Sequence, residues 1–380
     1  MPFLFLTLLT WQYSFHGSVC FAFAVAMGCS KNISRHEFVA WARDFVAPVG
    51  MSGTNGAFEG NVGSRIWSFA ASRKFMHSTI LATFFQLSGT VVAMCSAGVA
   101  LLLIGVLSAK KEVAGARGLD KIVALKNLCV AAPLAVFGAL HLFSPRFVID
   151  IVPEYMPWRW FWVYAVGCAL IAASLSIATK IGVRWSGLLF GIMMFLFVAM
   201  IHFPGALRQG QNRILWVIVF REMSFGGAGW ILAGNAMEGW RRRGKKTLII
   251  VGRVLITMAV IFFGVEHFLH ATGLPGVPLE KQMPTWIPGR ALIDYVTGAA
   301  LLVVGGSVLL NRNTRTVASC VGGWILLMVL VIYGPVLILA LSEPDTTAKV
   351  VGINYFADTM LFAGVILALA SATPRSDAAG

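Results

Sequence analysis

The chain has 380 residues, of which 58% are hydrophobic and only 12% charged, far from the balance of a water-soluble globular domain. A soluble protein of this make-up would have to bury nearly every helix on all sides, so a polytopic membrane protein is expected instead. The net charge of +14 does not point to nucleic acid, because the basic residues cluster in short stretches between apolar runs and no basic helix is interleaved with aromatics.

Residues 1–75 do not resemble the rest. Two apolar runs, at 1–10 and 19–28, precede a polar stretch at 30–74 rich in Gly, Ser and Arg. The first run lacks the basic flank of a signal peptide. Two readings stand. One is an extra membrane helix followed by an extracytoplasmic loop. That loop would carry Lys31, Arg35, Arg43, Arg65, Arg73 and Lys74, against the positive-inside trend. The other is a chain that starts at Met76.

Beyond this segment, nine apolar stretches have the roughly 20 residues that a helix needs to cross about 30 Å of hydrocarbon. They are expected at 79–107, 122–143, 160–179, 185–204, 214–237, 247–269, 291–310, 317–341 and 351–372. Alternate linkers carry thirteen basic residues against seven in the others, the richest being RRRGKK at 241–246. The first set is expected on the cytoplasmic side, with the tail at 373–380. Most of the six cysteines lie in apolar runs and none forms a CxxC pair, so they read as small packing residues.

One pattern occurs twice. FGALHLF begins at Phe137 and FGVEHFL at Phe263, an offset of 126. Each is followed by a Met-Pro loop, VPEYMPWRW and QMPTWIPGR, and then by a tyrosine and a glycine (Tyr164 and Gly167, Tyr295 and Gly298). IHFP at 201–204 answers IYGP at 332–335, and FREMSFGG from Phe220 answers FADTMLFA from Phe356. The offset grows slowly and in one direction, as in a duplicated unit with a few loop insertions. The fold expected is therefore all-α. It comprises two parallel four-helix repeats, 118–240 and 247–372, one or two N-terminal helices including a span in 76–117, and the basic joint at 241–246.

In each repeat the motif gathers polar groups near the outer end. His141 and His267 close the first helix. His202 and Tyr333 hold matching places on the third, each followed by a proline, and Glu222 and Asp358 lie in the fourth. Intramembrane ionisable groups are costly and are functional candidates by default. Helix-end histidines also often tie down a loop, and Arg221 beside Glu222 allows a structural ion pair, so a purely structural role stays open. The candidate binding residues, lining two outward cavities, are His141, His202, Glu222, His267 and Asp358. The structural motif positions are Phe137, Gly138, Pro153, Met156, Pro157, Phe263, Gly264, Met283 and Pro284, with Gly138 placed for close helix approach. His267 and His270 have metal-compatible spacing, but no third ligand follows at a recognisable distance and HExxH is absent. No metal site is expected. Trp158, Trp160, Trp162 and Trp286 are expected as interface anchors.

With its four-helix units, FGxxHF closing the first helix, the VPxxMP-type loop and a third helix ending His-x-Pro, the chain resembles the DoxX/DoxD-like superfamily twice over, at about 120–240 and 246–372. Residues 1–117 lie outside the resemblance, and Tyr333 departs from the pattern where the first unit has His202. The resemblance implies a bacterial-type inner-membrane protein associated with redox chemistry, a quinone as cofactor, and membrane or soluble redox subunits as partners beside the lipid bilayer. It does not imply an enzyme acting alone. Two other classes fit the residues: a proton-coupled transporter of a small solute, and a scaffold that docks partners or anionic lipid through RRRGKK.

Overall fold

The computed structural model describes residues 87–237, 242–277 and 281–373. The N-terminal segment, Met76, Arg241 and most of the 373–380 tail lie outside the described residues. Among those described, nine helices are long and apolar enough to cross a membrane: α1 (Gly89–Gly115), α2 (Asp120–Phe143), α3 (Arg159–Thr179), α4 (Val183–Arg208), α5 (Arg213–Asn235), α6 (Arg242–Leu269), α7 (Arg290–Leu309), α8 (Thr314–Ser342) and α9 (Thr346–Ser371). The fold is all-α, and the chain is a multi-pass membrane protein.

Helix starts follow local capping chemistry. Asn212 Oδ1 accepts the Ile214 N–H at the start of α5, and the Asp345 carboxylate accepts the N–H groups of Thr347 and Ala348 at the start of α9. Both satisfy donors that a helix leaves unpaired at its first turn. Two boundaries differ from expectation. α1 runs on through Lys110, Lys111 and Glu112, where Glu112 pairs with Lys180 at 2.7 Å. The basic joint is also helical from Arg242 onward, because Arg and Lys are good helix formers and the sequence there has no breaker except Gly244.

Burial orders the bundle. Only 22% of the apolar stretch of α1 is buried, against 72% for α2 and 78% for α9. α2 and α9 thus form the centre and α1 faces the lipid side. The two four-helix stretches do not form separate domains, since the described residues cluster as one compact unit. Cross-contacts join the halves at the end that carries the basic joint. Arg315 of α8 pairs with Asp120 of α2 at 2.7 Å, and Asn235 of α5 donates to Ser371 of α9.

The halves α2–α5 and α6–α9 share their local geometry. A Cβ on Gly138 would lie 3.0 Å from the Gly167 carbonyl, and one on Gly264 would lie 3.1 Å from that of Gly298. In both places the first two helices touch backbone to backbone, which only a residue without a side chain permits. α4 and α8 are each interrupted by a five-residue π-helical segment, Val198–His202 and Val329–Tyr333, and each resumes with a proline at its second position. Such segments insert one extra residue into a helix turn. Arg159 and Arg290, at the starts of α3 and α7, donate back to loop carbonyls of Val152 and Ile149, and of Met283.

The loops after α2 and α6 differ. The first is two short 3₁₀ turns, Pro145–Phe147 and Ile149–Ile151. The second is longer and folds into the bundle, burying Leu274 and Val277. Its Gly276 adopts φ +98°, and a Cβ there would press on Thr359 at 3.2 Å. Thr359 stands thirteen residues into α9, about 20 Å along its axis. Irregular backbone at such depth is tolerated only when buried in protein with its polar groups satisfied. Met283 is buried beneath this loop, its N–H bonded to the Thr272 carbonyl, while Met156 and Pro157 are more exposed and the Trp162 indole donates to the Pro157 carbonyl. Trp158, Trp160, Trp162 and Trp286 are all exposed, as interface anchors require.

Candidate functional site

The fourth helix of each half carries one carboxylate inside the membrane, and the structure brings the two together. Arg221 of α5 places Nη1 3.0 Å from Asp358 Oδ2 of α9 and Nη2 3.3 Å from Glu222 Oε1. All three side chains are at most 16% exposed. Arg221 lies eight residues inside α5, about 12 Å from its start, and Asp358 twelve residues inside α9, about 18 Å from its start. The cluster thus sits at hydrocarbon depth. Arg221 Nε is buried without a hydrogen-bond partner.

Two carboxylates share one guanidinium, which leaves one negative charge in excess if both are ionised. A buried uncompensated charge is too costly to persist in apolar surroundings unless it takes a proton or a cation. His202, at the end of its π-helical segment, lies within electrostatic reach of Arg221 and makes no hydrogen bond to the described residues.

The candidate residues of the two halves meet inside the bundle. Glu222 of the first half and Asp358 of the second meet at Arg221 as one shared cluster, with His202 within electrostatic reach of it. His141 stands apart: its Nδ1 lies 2.8 Å from the Phe137 carbonyl of its own helix and its Cβ packs at Gly167.

His267 is not free to bind a ligand through its ring nitrogens. Its Nε2 accepts the Gly276 N–H at 3.0 Å, so the ring proton sits on Nδ1 and is donated to the Phe263 carbonyl at 2.6 Å. Both nitrogens of this neutral imidazole are used. Tyr333, fully buried, donates its hydroxyl to the Pro275 carbonyl at 2.6 Å. Together they satisfy consecutive backbone groups of the inserted loop, which have no water to turn to. In the second half the motif is therefore a latch on the loop. The departure from His to Tyr at 333 fits that task, because a hydroxyl donates to a carbonyl.

Five residues outside the expected set matter: Arg221, Arg213, Glu266, His270 and Asp294. Arg221 was legible as an arginine inside an apolar run, but its partner across the bundle was not. Arg213 reaches Glu266 at 2.8 Å, and His270 Nε2 lies 3.9 Å from the same Glu266 oxygen. Asp294, near the start of α7, is 1% exposed, and neither of its carboxylate oxygens has a hydrogen-bond partner. It lines a cavity of about 340 Å³ with Arg213, His267, His270, Thr272 and Gln282. Among the described residues no three His, Cys, Asp or Glu side chains converge to hold a metal ion.

Compared with known proteins, the chain matches no family model, no curated protein and no solved structure.

Proposed function

We propose that the chain is a tandem duplication of a DoxX-like four-helix unit in a bacterial-type cell membrane, and that its shared Arg221 cluster binds and releases protons in support of a quinone-linked redox process. The observation that carries this is the pairing of Glu222 and Asp358 with a single arginine at membrane depth. One proton-sized vacancy of positive charge is built into that arrangement, with the His202 imidazole within electrostatic reach. Reduction of a quinone to its quinol takes two electrons and two protons. A redox partner subunit supplies the electrons, and the buried carboxylates are suited to pass the protons. The recurrence of the Gly-Gly contact, the π-helical segment and the loop-tying arginine at matching places supports the duplication.

The test is the quinone co-extracted per mole of detergent-purified protein, compared with His202→Ala and Glu222→Gln. These variants leave the loop latch intact, unlike any change at His267. Near-stoichiometric quinone lost in both variants supports the reading. Trace quinone in the unaltered protein sinks it.

A second reading, proton-coupled transport of a small solute, is favoured by the two interrupted helices and the buried non-helical loop, features that line solute paths in transporters. Solute-dependent proton flux in proteoliposomes, abolished by Asp358→Asn, is its expected signature. A tight membrane under every solute gradient rules it out.

A further inference from the structure

The cavity at the loop end of α6 and α7 lies apart from the Arg221 cluster, and its walls are unequal in charge. Arg213 enters it already matched by Glu266. His267 enters it neutral, with both ring nitrogens bonded. Asp294 enters it with nothing. Its two oxygens are buried, and no described donor reaches either. The start of α7 lends some favourable field to a carboxylate in its second turn, but that effect falls off within the first turn and replaces no direct partner. A carboxylate held so, beside a cavity of about 340 Å³, lacks a cation with N–H donors.

The rest of the lining fits the remainder of such a molecule. Thr272, Gln282 and the half-exposed His270 offer hydrogen-bonding groups along the opening. Leu269, Ala271 and Leu274 supply short apolar surface for a carbon chain. The wall is held in shape by backbone pairing, with Leu274 donating to the Lys281 carbonyl and Met283 to that of Thr272. The cavity is thus formed before anything binds.

We propose that the cavity lined by Asp294, His270, Thr272 and Gln282 is a binding site for a small organic ammonium compound, whose cationic head pairs with the Asp294 carboxylate. The site is small enough to exclude peptides and lipid headgroups with two acyl chains. By the distribution of basic linkers it opens on the outer side of the membrane. It stands independently of the redox reading, because none of its lining residues belongs to the Arg221 cluster.

The experiment uses the full chain in lipid nanodiscs and titrates ethanolamine, putrescine and agmatine by calorimetry, with choline as a cation that has no N–H to donate. At least one of the three amines is expected to bind, choline to bind more weakly, and Asp294→Asn to weaken the amine by more than about tenfold, or 1.4 kcal/mol. Thr272→Trp, which adds bulk to the lining and leaves Asp294 in place, is expected to abolish binding as well. A measurement on the unaltered protein guards against a variant that misfolds. A hydrophobic carbodiimide, which adds to protonated buried carboxyls, should label the peptide containing Asp294, and the bound amine should protect it. No binding by any of the three amines overturns the proposal, as does binding that Asp294→Asn leaves unchanged or an Asp294 label that no amine suppresses.

Discussion

Arg221, in the first half of the chain, answers Asp358 in the second, with 3.0 Å between guanidinium and carboxylate. The position in α9 equivalent to Arg221 is Ala357, so the second half has no arginine of its own at this level. Its intramembrane charge is compensated only across the bundle.

Removing that arginine should cost far more than removing one carboxylate. Arg221→Met leaves Glu222 and Asp358 both buried without a cation, and a loss of about 3–5 kcal/mol is expected. Asp358→Asn leaves Arg221 still paired with Glu222, so its loss should be clearly smaller. Unfolding in a graded detergent series measures both. Equal losses would mean that Asp358 and Glu222 do not share the charge.

The two motif histidines should part company under mutation. His267→Ala strands the buried Gly276 N–H, at about 1–3 kcal/mol. It should also make the loop after α6 susceptible to limited proteolysis in nanodiscs. His141→Ala removes a ring whose one hydrogen bond is to its own helix, and the loop after α2 should resist the protease as before. Equal protease sensitivity of the two loops would argue against the latch.

Tyr333→Phe tests the same loop from the other side. It deletes a single hydroxyl, and with it the bond to the Pro275 carbonyl, while keeping the ring in its packed site. A loss of about 0.5–1.5 kcal/mol is expected, and it should not add to that of His267→Ala, because both residues hold one segment. Strict additivity of the two changes would show that they act separately.

Glycines near each other in sequence should respond in opposite ways. At Gly298 a methyl group would lie 2.9 Å from His267 Cβ and 3.0 Å from the Gly264 carbonyl, so Gly298→Ala should cost about 1–3 kcal/mol by overpacking. At Gly306, on the same helix, a methyl group would meet nothing within 4 Å. Gly306→Ala should be neutral, or stabilising by up to about 1 kcal/mol through helix propensity. Thermal unfolding of the two variants is the comparison to make.

Much of this architecture was legible because its signals are local. Eight of the nine spans fall within five residues of where uncharged runs placed them, since hydrocarbon thickness fixes their length. α1 alone began later and ran further than its apolar run. The backbone contact at Gly138 followed from a small residue spaced against an aromatic and a histidine. What the sequence did not disclose is long-range. FREM displays Arg221 beside Glu222, and adjacency suggested a pair, but helix geometry points neighbours apart and the stronger partner lies 137 positions away. Nor did the second loop look different from the first. Its few extra residues carry no motif, and only three-dimensional packing shows that they enter the bundle and occupy His267 and Tyr333. Asp294 was visible as a charge, but its isolation is a property of what fails to surround it.

Two gene-length halves that each satisfied their own charges could exist separately, as a pair of identical subunits does. Here that independence has been given up: with Arg221 on one side and Asp358 on the other, each half is the other's counterion. Severed at the joint between α5 and α6 and produced as two polypeptides, the halves should accumulate only when made together. The bond that makes them co-dependent is also the one that sets their pairing, because an α2–α5 half offered another copy of itself would bring a second Arg221 to the place where the α6–α9 half offers Ala357.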